Sequence, residues 1–173
     1  MYKGKETDMF WLIERSYIGI LNNAIIREYG PQASSLQEFA VWNNGKVVGR
    51  ADLLVKMNFE DQNAYFLFEG KQREFDGKEY SESETELFFD AFVQQGKKYY
   101  EAEKDDYDEK VFIVPIIFEW VRTQNKLDKL LSWDKYNKHS DFYMVLHSND
   151  SGEVNSGLMV YGKVSDTAKM QGL

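Results

Sequence analysis

Apolar residues recur along the chain at two spacings, which predict an alternation of helices and strands. The first spacing is three and four residues, the period of one helical face, at Phe10, Ile13, Tyr17, Ile20 and Ala24. Thr7 and Asp8 can cap this helix, and Gly30 followed by Pro31 predicts that it ends at Tyr29. A second helix is predicted over residues 83–104, with a stripe at Phe88, Phe92, Gln95, Tyr99 and Ala102.

β-rich runs lie between and after these helices. Residues 38–42 and 46–56 predict two strands that are joined through Asn43, Asn44 and Gly45, since Asn-Gly favours a tight hairpin turn. Residues 64–72 predict a third strand, and residues 111–119 a fourth. Pro115 cannot donate to a ladder, so we expect an edge, a bulge or a strand start there.

The rest of the chain predicts a short helix over 125–131 and a late hairpin from strands 141–148 and 158–164. The expected order is therefore α-β-β-β-α-β with a β-rich tail. This order predicts a fold of the broad α/β class, in its α+β form with a mixed sheet. The length of 173 residues suits a single domain over 1–173.

Composition narrows the functional classes. The longest strongly apolar stretch, residues 111–118, has 8 residues, against the roughly 20 that a membrane-spanning helix needs. Glu14 and Arg15 interrupt the N-terminal apolar run, so we do not expect a secretory signal. We expect a cytoplasmic location instead. The absence of cysteine excludes disulfides and thiolate metal sites.

The formal net charge of -8 argues against nucleic-acid binding, because phosphate contacts usually require a basic surface. The charge is unevenly distributed, however. Residues 101–109 hold six acids and one base, whereas residues 119–138 hold five bases and three acids. A local basic surface therefore remains compatible with the composition.

The third predicted strand carries candidate chemistry at its end, in Glu69-Gly70-Lys71. Residues two apart on a strand share a face, so a carboxylate and an ammonium emerge side by side. The first can bind a hard cation and the second can stabilise charge. Gly70 between them leaves its backbone carbonyl approachable, although a strand glycine can also mark a bulge.

Two further acids occupy positions that are predicted to be buried. Asp52 lies in an aliphatic strand, where a charged carboxylate needs a partner. A divalent cation shared with Glu69 would serve, and so would a salt bridge to Arg50, Lys71 or Arg73. Glu14 shares a helical stripe with Ile18, Leu21 and Ile25, and it can contact the metal, directly or through water, or pair with Arg15 or Lys71.

Gln95 and Tyr99 interrupt the apolar stripe of the second helix. A buried amide must have hydrogen-bond partners. Those partners belong either to an active site or to the main chain of the core. The residues alone are compatible with both interpretations, an active-site role and a polar pair in the core.

Gly49-Arg50-Ala51-Asp52, Glu69-Gly70-Lys71 and Gln95-Gly96-Lys97-Lys98-Tyr99 stand in this order along the chain. Together they resemble the G-x-h-D, (D/E)-x-K and Q-x-x-x-Y motifs of RecB-like nucleases in the PD-(D/E)XK superfamily. Glu14 matches that family's acidic residue on the first helix. The resemblance covers roughly residues 8–118, and Gly96 departs from it because the family usually has a hydrophobic residue there.

The resemblance implies a restriction-endonuclease-like αβββαβ core, followed here by a C-terminal hairpin. It implies hydrolysis of phosphodiester bonds in nucleic acid, with DNA the first expectation, and a Mg²⁺ cofactor that Mn²⁺ can replace. Glu14, Asp52, Glu69 and the carbonyl of Gly70 would hold the metal. Lys71 would position water or neutralise charge, while Gln95 and Tyr99 would orient the lysine or contact the nucleic-acid backbone.

Two other classes of protein share these features. One is a catalytically inactive protein of the same fold that binds a partner, or a copy of itself, as a regulatory subunit. The other is an unrelated α+β interaction protein of the inhibitor type, for which a net charge of -8 is natural. Metal-dependent cleavage of nucleic acid distinguishes the nuclease from both.

Overall fold

The computed structural model describes residues 14–59, 62–75, 82–103, 110–121, 123–132, 140–147 and 157–167. Within them, seven strands form one mixed sheet. The helices are α1 (Glu14–Tyr29), α2 (Glu82–Glu103) and α3 (Gln124–Leu131), with a 3-10 turn at Gly30–Gln32. The strands are β1 (Ala33–Asn43), β2 (Lys46–Asn58), β3 (Asn63–Glu74), β4 (Lys110–Val121), β5 (Phe142–His147), β6 (Gly157–Gly162) and β7 (Ser165–Asp166).

The strand order across the sheet is β1-β2-β3-β4-β6-β5, with β7 also paired to β4. Neighbouring strands are antiparallel except β3 and β4, which run parallel. A parallel pair needs a crossover connection, and α2 lies in the segment between β3 and β4. The predicted order α-β-β-β-α-β and the mixed sheet are therefore confirmed.

Each face of the sheet packs against one long helix. Alternate residues of β4 divide between the faces, so that Val114, Ile116 and Phe118 join the core under α1. Ile117 and Val121 join the core under α2, together with Phe89. β4 is thus buried on both faces at the centre of the molecule.

The apolar face of α1 differs from the predicted stripe. Ile20 is 46% exposed and Ala24 is also exposed. The side that packs on the sheet is instead Tyr17, Ile18, Leu21 and Ile25. The predicted cap at Thr7 and Asp8 lies outside the described residues, whereas the predicted end of the helix at Tyr29 is confirmed.

The first hairpin forms where the sequence predicts it. Asn44 and Gly45 have φ values of 49° and 74°, and the type I′ turn requires a positive φ at both central positions. β1 begins earlier than predicted, at Ala33, because its backbone pairs with β2 as far as Met57. It is an edge strand, so its polar side chains do not prevent this pairing.

Pro115 lies in the middle of β4 rather than at an edge, a bulge or a strand start, so this expectation is wrong. Its carbonyl accepts a hydrogen bond from the Lys163 backbone, which places its nitrogen on the same side of the strand. On that side β4 pairs with β7 up to Ile113 and with β6 from Ile116. The proline therefore occupies the interval between two ladders, where no backbone donor is needed.

The late hairpin is also confirmed. β5 and β6 pair antiparallel, and β6 adds to β4, so the hairpin extends the sheet on the side away from β1. Among the described helices, none is both long enough and apolar enough to span a membrane.

Candidate active site

β2 and β3 separate at the point where the predicted site residues begin. Their ladder runs from Asn58 and Asn63 to Leu53 and Phe68 and ends there. One residue further along β2, the Asp52 Oδ2 accepts a hydrogen bond of 2.8 Å from the backbone N–H of Gly70. The Asp52 carboxylate thus occupies the gap between the two strands and satisfies a donor that the ladder would otherwise bond.

Glu69 lies beside this gap and is 2% exposed. Its Oε2 accepts a hydrogen bond of 2.9 Å from Gln95 Nε2 on α2. The same nitrogen donates to the Tyr99 hydroxyl over 3.1 Å. Because a carboxylate only accepts hydrogen bonds, it fixes which end of the Gln95 amide faces it. Gln95 thus bonds the side chains of two other predicted site residues, Glu69 and Tyr99.

The pKa of Tyr99 is raised above the ordinary value of 10.0. Burial of the phenol is the largest cause, and the negative charge of Glu69 adds to it, with a smaller addition from Asp52. Hydrogen bonds from Gln95 and from the Arg50 backbone act in the opposite direction. The phenol therefore stays protonated at neutral pH, and it lies within the electrostatic reach of both carboxylates.

Glycines let α2 and β2 approach each other closely at Tyr99. A Cβ on Gly49 would lie 2.3 Å from a ring carbon of Tyr99, so any other residue there requires the Tyr99 ring to shift. A Cβ on Gly96 would lie 2.5 Å from a methyl group of Ile113 on β4. Gly96, the glycine after Gln95, therefore allows α2 to pack closely against the central strand β4.

The remaining predicted residues have different outcomes. Gly70 pairs in regular register with Ile116, so it is not a bulge on the β4 side. Lys71 follows on β3 and is exposed, two residues from Glu69 and on the same face. Glu14 is the first residue of α1, but its side chain lies outside the described residues.

The described residues include three of the four predicted metal ligands, Asp52, Glu69 and Gly70. Within the described ranges, no three His, Cys, Asp or Glu side chains form a group that could hold a metal ion. Asp52, Glu69 and the Gly70 carbonyl offer hard oxygen ligands on adjoining residues of two strands. Mg²⁺ is commonly held by one or two carboxylates and keeps several waters, so this donor set fits it.

The sequence did not reveal a polar cleft on the α1 side of Asp52. This cleft has a volume of about 240 Å³ and is lined by Arg15, Ile18, Glu38, Arg50 and Asp52. Glu38 forms ion pairs with Arg15 at 2.9 Å and with Arg50 at 3.7 Å. Arg50, a candidate partner of Asp52, thus pairs with Glu38.

A second buried polar cluster joins β3, β4 and β6. Arg73 donates to Glu119 Oε2 over 3.0 Å, and the Tyr161 hydroxyl donates to the same oxygen over 3.0 Å. Arg73 also bonds Tyr161, and its guanidinium lies 5.6 Å from the ring centroid of Phe88. Arg73, another candidate partner of Asp52, is therefore engaged by Glu119, a residue that carried no sequence signal.

Comparisons of the chain with protein-family models, with curated proteins and with solved structures give no match.

Proposed function

We propose that the protein is a metal-dependent nuclease that hydrolyses phosphodiester bonds, with DNA as the first expected substrate. The observation that supports this is the contact between three separate motifs. Asp52 bonds the backbone of Gly70, and Glu69 bonds Gln95, which bonds Tyr99. Residues far apart in the sequence thus form one polar centre where β2 and β3 separate.

The resemblance to the PD-(D/E)XK superfamily supports the same proposal. Its restriction-endonuclease-like core has the element order α-β-β-β-α-β, and this chain has that order from α1 to β4. In that core the acid of the second strand and the acid and lysine of the third strand form the active site. Asp52, Glu69 and Lys71 occupy those strands here.

Asp52, Glu69 and the Gly70 carbonyl would hold one or two Mg²⁺ or Mn²⁺ ions, with Glu14 as the further ligand that the resemblance implies. When bound, such an ion lowers the pKa of a water molecule and offsets charge on the phosphoryl oxygens. Hydrogen bonds from Gly70 and Gln95 already orient the carboxylates of Asp52 and Glu69, which lowers the cost of ordering them around an ion.

The other residues act by position and charge. Lys71 extends from the same face of β3 as Glu69, so its ammonium can neutralise charge that develops on the scissile phosphate. Gln95 orients Glu69, and the protonated phenol of Tyr99 holds Gln95 in turn. Gln95 and Tyr99 are therefore positioning residues in this proposal.

The test incubates purified protein with linear DNA, circular DNA and RNA in the presence of Mg²⁺, Mn²⁺ or EDTA. The wild type should cleave nucleic acid with either metal and not with EDTA. Asp52→Asn and Lys71→Ala should each lower the rate by ~10²-fold or more, the scale on which removal of a charge-stabilising group acts.

Matched controls are available on the described surface. Asp90→Asn and Lys110→Ala change the same residue types at exposed positions, and they should cleave like the wild type. Circular dichroism checks that each variant folds. Equal residual activity in the wild type and in Asp52→Asn would contradict the proposal, because the cleavage would then come from a contaminant.

A further inference from the structure

The cleft beside Asp52 contains two arginines that converge on one carboxylate. Arg15 comes from α1 and contacts Oε1 of Glu38, while Arg50 comes from β2 and contacts Oε2. Two guanidinium groups from different elements that converge on one small anion form an anion-binding site. Here the anion is part of the protein itself.

Glu38 has an unusual backbone conformation in the middle of β1. Its φ is 51°, in the left-handed region that non-glycine residues rarely adopt. Its neighbours Gln37 and Phe39 pair with Leu53 and Ala51, so Glu38 falls opposite Asp52. Strained backbone of this kind is concentrated at functional sites. The strain directs the Glu38 carboxylate to the cleft that Asp52 also lines.

The ion pairs that hold Glu38 are weak. The side chains of Arg15 and Arg50 are 69% and 62% exposed, and that of Glu38 is 29% exposed. Exposed ion pairs contribute little, because solvent and salt screen them. Another anion that offers bidentate oxygens can therefore replace the Glu38 carboxylate at small cost.

We propose that Arg15 and Arg50 bind a backbone phosphate of the nucleic-acid strand that enters beside Asp52, and that Glu38 occupies their site until this phosphate displaces it. This inference rests on the proposed nuclease function. A phosphodiester presents two oxygens to a guanidinium as a carboxylate does. In a protein of net charge -8, the two guanidinium groups are the positive charges among the described residues that line this cleft, and displacement of Glu38 makes both available to a phosphate.

The test measures binding separately from cleavage. Asp52→Asn serves as the background, so that the probe stays intact, and the probe is a short fluorescein-labelled DNA strand, alone or in a duplex. An RNA strand of the same sequence forms a second arm. Fluorescence anisotropy is recorded in EDTA over a series of salt concentrations, and thermal melting confirms that each variant folds.

Arg15→Ala and Arg50→Ala should each weaken binding by ~10-fold and should each reduce the slope of log affinity against log salt by about 1. Glu38→Gln should tighten binding several-fold, because it removes the competing charge. Arg27→Ala is the matched control, an exposed arginine on the same helix as Arg15, and it should bind like the background protein. If an alanine variant does not fold, Arg15→Lys or Arg50→Lys replaces it, and weaker binding is again expected because lysine lacks the fork.

Binding by Arg15→Ala and Arg50→Ala that equals that of Arg27→Ala would overturn the phosphate site. Unchanged or weaker binding by Glu38→Gln would overturn its role as the displaced anion. Either result, together with metal-dependent cleavage by the wild type, leaves the nuclease function intact. Conversely, arginine-dependent binding without any cleavage supports the phosphate site and removes the nuclease. No detectable binding of either nucleic acid would overturn the inference.

Discussion

Two buried glutamates lie on the same face of the sheet, Glu69 on β3 and Glu119 on the adjacent β4. Glu69 is 2% exposed and Glu119 is 0% exposed, so both carboxylates are removed from bulk water. Glu119 is held by the guanidinium of Arg73 and by the hydroxyl of Tyr161. Glu69 is held by the amide of Gln95. Each buried carboxylate needs hydrogen-bond partners, and the two glutamates have partners of different kinds.

The partners of the two carboxylates differ in charge. A guanidinium cancels the charge of Glu119, and aromatic rings of Phe88 and Tyr161 flank Arg73, which is typical of a structural ion pair. A neutral amide orients Glu69 without cancelling its charge. Glu69 also lies next to the gap that holds Asp52, whose charge adds to its own. The amide of Gln95 therefore fixes the position of Glu69 but supplies no positive charge to it, unlike the guanidinium beside Glu119.

The largest expected effect on stability separates these two glutamates. Glu119→Gln leaves the largely buried guanidinium of Arg73, whose side chain is 14% exposed, with a neutral partner, so the free energy of unfolding should fall by ~3 kcal/mol. Glu69→Gln keeps an acceptor for Gln95 and removes a buried charge, so in EDTA the change should stay within ~1 kcal/mol. Urea denaturation of both variants measures this. Equal losses would mean that both carboxylates are structural.

A smaller effect is expected where α2 meets β2. Gly49→Ala places a methyl group against the ring of Tyr99, which must shift, so the free energy of unfolding should fall by ~1–3 kcal/mol. The proposed nuclease activity should fall too, because Tyr99 bonds Gln95 and Gln95 bonds Glu69. Thermal melting and the cleavage assay measure both quantities.

Gly19→Ala is the control for this substitution. Gly19 lies in α1, and nothing lies within 4 Å of the position its Cβ would take. Alanine is the better helix former, so this variant should be as stable as the wild type, or more stable by ~1 kcal/mol. Wild-type activity in Gly49→Ala would show that the position of the Tyr99 ring does not affect how Glu69 is oriented.

The smallest expected effect is on the stability of the protein at alkaline pH, where Tyr99 titrates. The pKa of Tyr99 is raised in the folded state, so the folded protein binds this proton more tightly than the unfolded chain does. The stability that this proton contributes is fully present below the ordinary tyrosine pKa of 10.0. It is lost as the pH rises through the pKa of Tyr99 in the folded state. Tyr99→Phe should therefore lose less stability than the wild type between pH ~9 and pH ~11. Parallel curves for the two proteins would contradict the role of burial and of Glu69.

The elements with strong local signals could be predicted from the sequence. The Asn44-Gly45 turn follows from the positive φ that both positions need, and Gly30 with Pro31 ends α1. The position of Pro115 could not be predicted, because it depends on where the partner of β4 changes from β7 to β6. That change is set by segments far away in the sequence.

The candidate site shows the same division. The motifs identified Asp52, Glu69 and Gln95, since polar residues in apolar strands and stripes stand out locally. Glu38 did not stand out. Simple counting outward from the turn puts Asp52 opposite Gln37, and a bulge next to Trp42 shifts the register so that Glu38 is opposite instead. One inserted residue thus determines which side chain faces the cleft.

The central claim is that Asp52 and Glu69 hold a divalent cation, and titration calorimetry with Mn²⁺ alone tests it most directly. The wild type should bind Mn²⁺, whereas Asp52→Asn and Glu69→Gln should each bind it at least ~10-fold more weakly, because each loses a charged oxygen ligand. Glu119→Gln, the control with a buried carboxylate outside the site, should bind Mn²⁺ like the wild type. Wild-type affinity in both Asp52→Asn and Glu69→Gln would contradict the account.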